Sequence, residues 1–390
     1  MTKKLYYENS HLAVFDSVVE QIVTRNGSYA VVLSATAFFP TGGGQPCDTG
    51  RVGSVDIVGT EEEDGVIYHY CKNEPSFSAG DMVHCEIDYR QRFARMQAHS
   101  GEHIVSGVAH NCFDAENVGF HMDGLLMTVD FDKPLSREQI RQVEEMANRV
   151  VYDNVPVYAD IYSPEDAAGQ CYRSKKEFAG DVRIVTIEGV DRCACCAPHV
   201  TRTGEIGLIK ILSCVSHRGG VRLTVICGEE AYRDYVSKYD QILRIAALLA
   251  AKHDETDVAV ESLIAQNKEL RFAVNEQKKR LCSYIVAISP SVQGNAVVFA
   301  EGCEADELCE ISIQMQAKCG GVSVACSGND EEGYSYAVSC AGTDLGQLAK
   351  QINSALNGRG GGRGELIRGR FQATKAEIQS YFDTFEVTLP

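Results

Sequence analysis

The sequence predicts an α+β multidomain chain in four parts. These are a small N-terminal β-barrel over residues 1–88, an α+β domain over 89–228, a long helical spacer over 229–282 and a C-terminal α/β domain over 283–390. Three observations carry this. Short β-branched runs separated by turns fill the first 88 residues. From Asp88 the apolar residues switch to helical spacing, and helices then alternate with strands. Residues 229–280 hold no proline and read as helix with a single break at Asn267-Lys268.

Composition limits the function classes. A chain of 390 residues with 44% hydrophobic content can bury more than one core. The net charge of -17 argues against a surface that attracts nucleic acid everywhere, so a polyanionic partner needs a local basic patch. The opening residues, Met1 to Asn9, contain no run of signal-peptide type, and no stretch approaches the roughly 18 apolar residues that span a bilayer. A cytoplasmic protein without membrane contact is expected. Sixteen cysteines are scattered along the chain and read as mostly buried free thiols in a reducing compartment. Only the cluster Cys193, Cys195 and Cys196 asks for a special explanation.

In order, Ala13–Val23 and Tyr29–Leu33 are β-branched and partly alternating, with Asn26-Gly27 between them as a hairpin signal. Val52–Val58, Val66–Tyr70 and Met82–Ile87 continue the strands and favour a barrel. Within this region stands Phe38-Phe-Pro-Thr-Gly-Gly-Gly-Gln-Pro-Cys-Asp-Thr-Gly50. Consecutive glycines cost backbone entropy, so Gly42, Gly43 and Gly44 serve either a tight connection or a close approach of the backbone to something, with the Gln45 amide at the end. Asp88 is the expected N-cap of a helix through Val108, basic at its start through Arg90, Arg92 and Arg95. Gly119–Gly124 reads as a turn and Leu125–Phe131 as a strand. Ser136 and Gln139 form a capping-box signature before an amphipathic helix to Val151. Pro156–Ile161, Val182–Ile187, Gly207–Leu212 and Gly220–Ile226 complete a largely antiparallel sheet.

Beyond the spacer, whose intermittent apolar stripe suggests pairing of helices or of two chains, Ser283–Ile288, Ala296–Ala300 and Gly321–Cys326 read as strands. Helical segments are expected around Glu304–Cys319 and Thr343–Ala355. A second glycine-rich loop, Asn357–Gln372, lacks the Gly-Lys-Ser/Thr of a Walker motif. Its Arg359, Arg363, Arg368 and Arg370 could cradle phosphates.

Chemistry is concentrated in two pairs, His99-Ser-Gly-Glu-His103 and Cys195-Cys-Ala-Pro-His199. Each sets a ligand four residues before a histidine, a spacing that places both side chains on one face. One such pair is common on exposed helices. Two pairs together supply three nitrogens and a sulfur, the set and number that zinc prefers. Cys193 and Cys196 compete for the thiolate position, although only Cys195 stands four before His199. A water on such a zinc ionises near neutral pH and can attack an ester or amide carbonyl, while four protein ligands more often mark a structural site. His99-Ser-Gly-Glu-His103 also matches the His-x-x-Glu-His of inverted zincins, where Glu102 would activate the water of a metallopeptidase.

Three stretches, Phe39-Pro-Thr-Gly-Gly-Gly-Gln-Pro-Cys-Asp-Thr-Gly50, Gln97-Ala-His-Ser-Gly-Glu-His103 and Cys195-Cys-Ala-Pro-His-Val-Thr-Arg-Thr-Gly-Glu-Ile-Gly207, resemble in order and spacing the editing region of alanyl-tRNA synthetases and the free-standing AlaX editing proteins. The resemblance runs over nearly the whole chain and is to the long AlaX form, with a DHHA1-type C-terminal domain. It implies a zinc-dependent editing domain over 89–228 and an ATP-independent trans-editing hydrolase. That hydrolase would deacylate tRNA(Ala) mischarged with serine or glycine and spare Ala-tRNA(Ala). It implies zinc on His99, His103, Cys195 and His199, catalysis carried by Gln45, His99 and His103, and an amino-acid pocket lined by Gly42, Gly43, Gly44 and Gln45. Contacts to tRNA are expected from Arg90, Arg92, Arg95, Arg359 and Arg363, and a homodimer is expected through the spacer. The alternative is a non-catalytic, zinc-stabilised module that binds tRNA or dimerises. Two positions depart from the family: Cys195-Cys-Ala-Pro-His199 stands for Cys-Gly-Gly-Thr-His, and Arg363–Arg370 stands for Arg-Pro-Asp-x-Ala-Gln-Gly-Gly.

Overall fold

The computed structural model describes residues 1–25, 27–174 and 180–386. It divides into two compact units, Met1–Arg244 and Ile245–Pro390. The first begins with two residues of strand, β1 (Lys3–Lys4), followed by β2 (Val14–Arg25), β3 (Ser28–Leu33), β4 (Ala35–Thr36), β5 (Gly50–Val52), β6 (Val55–Glu63), β7 (Val66–Cys71) and β8 (Met82–Ile87). Six of these close a barrel in the order β2-β3-β7-β6-β5-β8. Their inward residues, among them Phe15, Val31, Leu33, Ile57 and Val83, fill its core. The expected strand Val52–Val58 is in fact a hairpin, because the chain reverses at Gly53, whose φ of +54° suits glycine. In the hairpin signal Asn26-Gly27, Asn26 lies outside the described residues, and Gly27 precedes the register pair Arg25 and Ser28.

Helix α1 (Tyr89–Phe113) starts as expected at Asp88, whose carboxylate accepts the Gln91 N–H at 3.1 Å. It is buried almost all round from Met96 to Ala109, so its polar residues face an interior and must be paired there. Around it lie β9 (Asn117–Asp123), β10 (Leu126–Phe131), α2 (Arg137–Asp153), β11 (Val157–Tyr162), α3 (Pro164–Ala168), β12 (Val182–Ile187), β13 (Asp191–Ala194), β14 (Ile209–His217) and β15 (Gly220–Cys227). Two antiparallel sheets result, β14-β15-β10-β9 and β11-β12-β13. The expected turn Gly119–Gly124 is mostly the strand β9, paired with β10 along its length, and the reversal is deferred to Gly124. The capping box of Ser136 and Gln139 is formed. Helix α1 packs closely on β13: a Cβ on Gly107 would stand 2.6 Å from the Val190 carbonyl oxygen.

Helix α4 (Gly228–Leu249) is followed by a break, with Ala250 at φ +50°, and by α5 (Thr256–Ile288). The interruption therefore falls near residue 250, and α5 runs unbroken through Asn267-Lys268. It also absorbs Ser283–Ile288, read above as a strand, because Cys282 and Val286 are buried one helical turn apart against Leu308 and Ile311. The second unit continues with β16 (Ala296–Phe299), α6 (Ala305–Met315), β17 (Ser323–Asn329), β18 (Gly333–Ser339), α7 (Leu348–Ala355), β19 (Arg359–Arg363), β20 (Leu366–Phe371) and α8 (Lys375–Thr384). Its sheet has the order β16-β17-β18-β20-β19. The second glycine-rich stretch is therefore a β-hairpin and not a loop, with β19 as an exposed edge strand.

Candidate metal centre

The two ligand pairs meet inside the first unit. His99 and His103 come from the buried face of α1, and Cys195 and His199 from the segment after β13; one donor atom from each lies within 4.8 Å of the others. The Cys195 Sγ stands 3.6 Å from His99 Nε2 and 3.4 Å from His199 Nε2. A nitrogen at about 2.1 Å and a sulfur at about 2.3 Å from a tetrahedral zinc would be about 3.6 Å apart, so the spacing suits that ion. The second nitrogen of each imidazole is engaged elsewhere. His99 Nδ1 meets Gln45 Oε1 at 2.8 Å, His103 Nδ1 meets Asp191 Oδ2 at 3.0 Å, and His199 Nδ1 meets Ser100 Oγ at 3.0 Å. His99 and His199 thus turn Nε2 toward the sulfur, and His103 keeps Nε2 as its remaining nitrogen.

Electrostatics favour the same use. Burial pushes the Cys195 thiol up, but the imidazoles around it and the hydrogen bonds it accepts from His103 and His199 outweigh that and hold the thiol well below its ordinary value. Burial brings His199 down to about 3, so it stays a neutral donor. Burial also opposes a charge on His103, yet its hydrogen bonds to Asp191 and Cys195 raise it well above the ordinary imidazole range. Cys193, by contrast, is pushed up to about 11, mainly by burial, and remains a thiol. It forms a second cluster with His103 and Asp191, but the Asp191 carboxylate is already spent on Arg173. Glu102, also buried, accepts hydrogen bonds on Oε1 from Ser106 at 2.7 Å and from Asn117, while Oε2 stands 3.9 Å from His103 Nε2. Asn117, Asp191 and Cys193 line a cavity of about 810 Å³ together with Tyr172 and Arg173.

The glycine loop reaches this centre from the barrel. Gly42 and Gln45 exchange backbone hydrogen bonds of 3.1 and 3.0 Å, and Gly43 and Gly44 between them have φ of +58° and +81°, the signs a type I′ turn needs. A Cβ on Gly44 would fall 2.7 Å from the Phe120 ring, which itself packs on His99. Both uses weighed from the sequence, tight turn and close approach, are therefore met. Gln45 is buried, and its Nε2 finds no partner among the described residues. Cys196 lies beside the same loop, 3.4 Å from where a Gly43 Cβ would be.

The arginines separate. Arg92 is only 1% exposed, and its guanidinium is committed to Asp48 and to the carbonyls of Ser10 and Ala37. Arg95 is buried on the Cys47 carbonyl. The expected basic face of Arg90, Arg92 and Arg95 is thus corrected: a helix buried on nearly every side turns two of the three inward, and only Arg90 is exposed, paired with Glu229 at 2.6 Å. Arg359 and Arg363 lie exposed on β19. The sequence reading missed Ser100, Asp191 and Arg173. Ser100 and Asp191 were near the motifs, but Arg173 gave no local signal.

Comparison with known proteins adds lineage to this geometry. The model of the threonyl and alanyl tRNA synthetase second additional domain matches residues 182–223, and that of class II (A) tRNA synthetases matches residues 2–91. The barrel and the segment that carries Cys195 and His199 are thus similar to parts of class II aminoacyl-tRNA synthetases. The alanyl-tRNA editing protein AlaX-L of Pyrococcus horikoshii is 27% identical over 398 residues, covering 97% of this chain and 96% of its own. The alanine–tRNA ligase of Pyrococcus furiosus is 30% identical over 394 residues, covering 95% of this chain. The chain spans 42% of that ligase and 40% of the one from Ignicoccus hospitalis. A distant likeness, with TM-score 0.20 at 15% identity, is to the crystal structure of the C-Ala domain from Aquifex aeolicus alanyl-tRNA synthetase; it covers 23% of this chain and 87% of that one. The chain is thus similar, over nearly its whole length, to a free-standing AlaX protein.

Proposed function

We propose that this chain is an aminoacyl-tRNA deacylase that hydrolyses the ester of serine misattached to tRNA(Ala). The observation that carries this reading is the convergence of His99, His103, Cys195 and His199, with the Nε2 of His99 and of His199 turned to one sulfur. The donors suit zinc by number, type and spacing. Bound there, zinc would supply Lewis acidity toward an ester carbonyl.

The chain's own residues do the rest. Glu102 Oε2 is the carboxylate oxygen beside His103 Nε2, and it takes a proton from the attacking water as the new carbon–oxygen bond forms. The same proton passes to the ribose oxygen when the ester bond breaks, leaving free amino acid and tRNA. The unpartnered amide of Gln45, at the end of the Gly42–Gly44 turn, is the donor offered to a serine hydroxyl. Alanine has nothing to accept it, and a site built around a hydroxyl discriminates strongly against its absence. Contacts to tRNA phosphates fall to Arg90, Arg359 and Arg363, with Arg92 and Arg95 confined to the interior.

The test is hydrolysis of Ser-tRNA(Ala), Gly-tRNA(Ala) and Ala-tRNA(Ala) side by side. Release of serine with little release of alanine is expected, and Glu102→Gln should slow it by about 10²- to 10⁴-fold. Equal persistence of all three esters rejects the hydrolase, and retained tRNA binding would then identify a non-catalytic module.

A further inference from the structure

The three imidazoles of the centre are not held alike. His99 and His199 rest on neutral partners, an amide and a hydroxyl. His103 alone rests on a carboxylate, Asp191, and that carboxylate is itself gripped by Arg173 with Nε on Oδ1 at 2.8 Å and Nη2 on Oδ2 at 2.9 Å. Asp191 is nearly fully buried, and the Arg173 side chain keeps only 15% of its exposure. Arg173 lies outside both ligand pairs, in the connection between α3 and β12. Its backbone is nonetheless fixed to β13, donating to the Arg192 carbonyl at 2.7 Å and accepting from the Ala194 N–H at 3.0 Å. Two hydrogen bonds to strand backbone set where the arginine starts, and a planar fork sets how it meets the carboxylate.

We infer that Arg173 is a positioning residue for the metal centre: through Asp191 it holds the His103 ring with Nδ1–H on the carboxylate and Nε2 toward Cys195. The consequence is that one ring nitrogen is fixed as the metal-facing one. With Nδ1 held on Asp191, Nε2 is the nitrogen left for the cluster with Cys195. A freely turning ring could offer either nitrogen. A carboxylate backed by a buried guanidinium also makes the imidazole a stronger donor than an amide or a hydroxyl does. This inference rests on the metal reading proposed above but concerns residues that no ligand motif contains.

Two readouts test it, and neither is catalysis. In metal-free protein, the Nδ1 proton of His103 should appear as a downfield, slowly exchanging resonance, and Arg173→Gln should remove that protection. In a chelator competition, zinc should bind R173Q and Asp191→Asn about 10- to 100-fold more weakly than wild type. Arg173→Lys keeps the charge on a single nitrogen in place of the planar fork, and it should fall between wild type and R173Q on both readouts. If R173Q fails to show a cooperative melt, R173K decides the matter. Folded Arg173 variants that keep both the protected proton and the wild-type zinc affinity overturn the inference. A wild-type chain that shows the proton yet takes up no zinc rejects the metal reading and leaves the clamp standing.

Discussion

Each imidazole of the centre has one nitrogen committed to the surrounding fold and one turned inward, and a single sulfur is drawn toward the thiolate among them. A contrasting histidine, His69, lies in the barrel wall with Nδ1 on the Val31 carbonyl at 2.9 Å and Nε2 on Thr36 at 2.8 Å. Burial brings it down to about 4. Its folded value is depressed, so above about pH 6.5 it has no effect on the pH dependence of stability; as pH falls from there toward 4 the unfolded chain takes up a proton that the barrel refuses, and stability declines by about 2 kcal/mol between pH 7.5 and pH 5. A nuclear-magnetic-resonance titration should show the His69 ring neutral down to pH 5, and a midpoint near 6.5 would contradict its burial. At this scale the four ligands were legible because the spacing of four is written into the chain. Asp191 and Arg173 were not, since their partnership depends on a bridge between distant backbone segments.

At the scale of elements, α1 decides what the neighbouring residues can do. Its N-cap at Asp88 and its helical periodicity were readable, but the sequence did not reveal that the helix is enclosed by the barrel and both antiparallel sheets. That enclosure sends Arg92 inward to Asp48, the residue that also accepts the Phe39 N–H at 2.7 Å and so fixes the path into the glycine loop. Arg92→Ala should cost about 3 to 5 kcal/mol in thermal or denaturant unfolding, because it strands a buried carboxylate. Arg90→Ala, which breaks an exposed pair, should leave the melting temperature unchanged within error. Equal effects of the two substitutions would contradict the burial of Arg92. The helix assigned to Ser283–Ile288 teaches the same lesson in reverse. A β-branched run of six residues carries strand propensity, and the burial of Cys282 and Val286 on one face overrides it.

Taken whole, the molecule pairs a buried site with an acidic surface. The net charge of -17 opposes a polyanion, so on the proposed reading a local basic patch that includes Arg90 and the arginines of β19 supplies the attraction, and binding of tRNA should weaken steeply with salt. No described helix is long and apolar enough to cross a membrane. The barrel, the antiparallel sheets and the long helices were each foreshadowed by the period of their apolar residues. The edge strand Arg359–Arg363 was not, because three glycines carry no period and only pairing with β20 makes them a strand. The central claim is that four side chains from two distant segments hold one cation on which hydrolysis depends. The measurement that meets it most directly is the rate of serine release from Ser-tRNA(Ala) by protein stripped with a chelator and then titrated with zinc. Loss of the rate on stripping, with full recovery at one zinc per chain and no recovery in His103→Ala, is the predicted result. An undiminished rate in the stripped protein would contradict it.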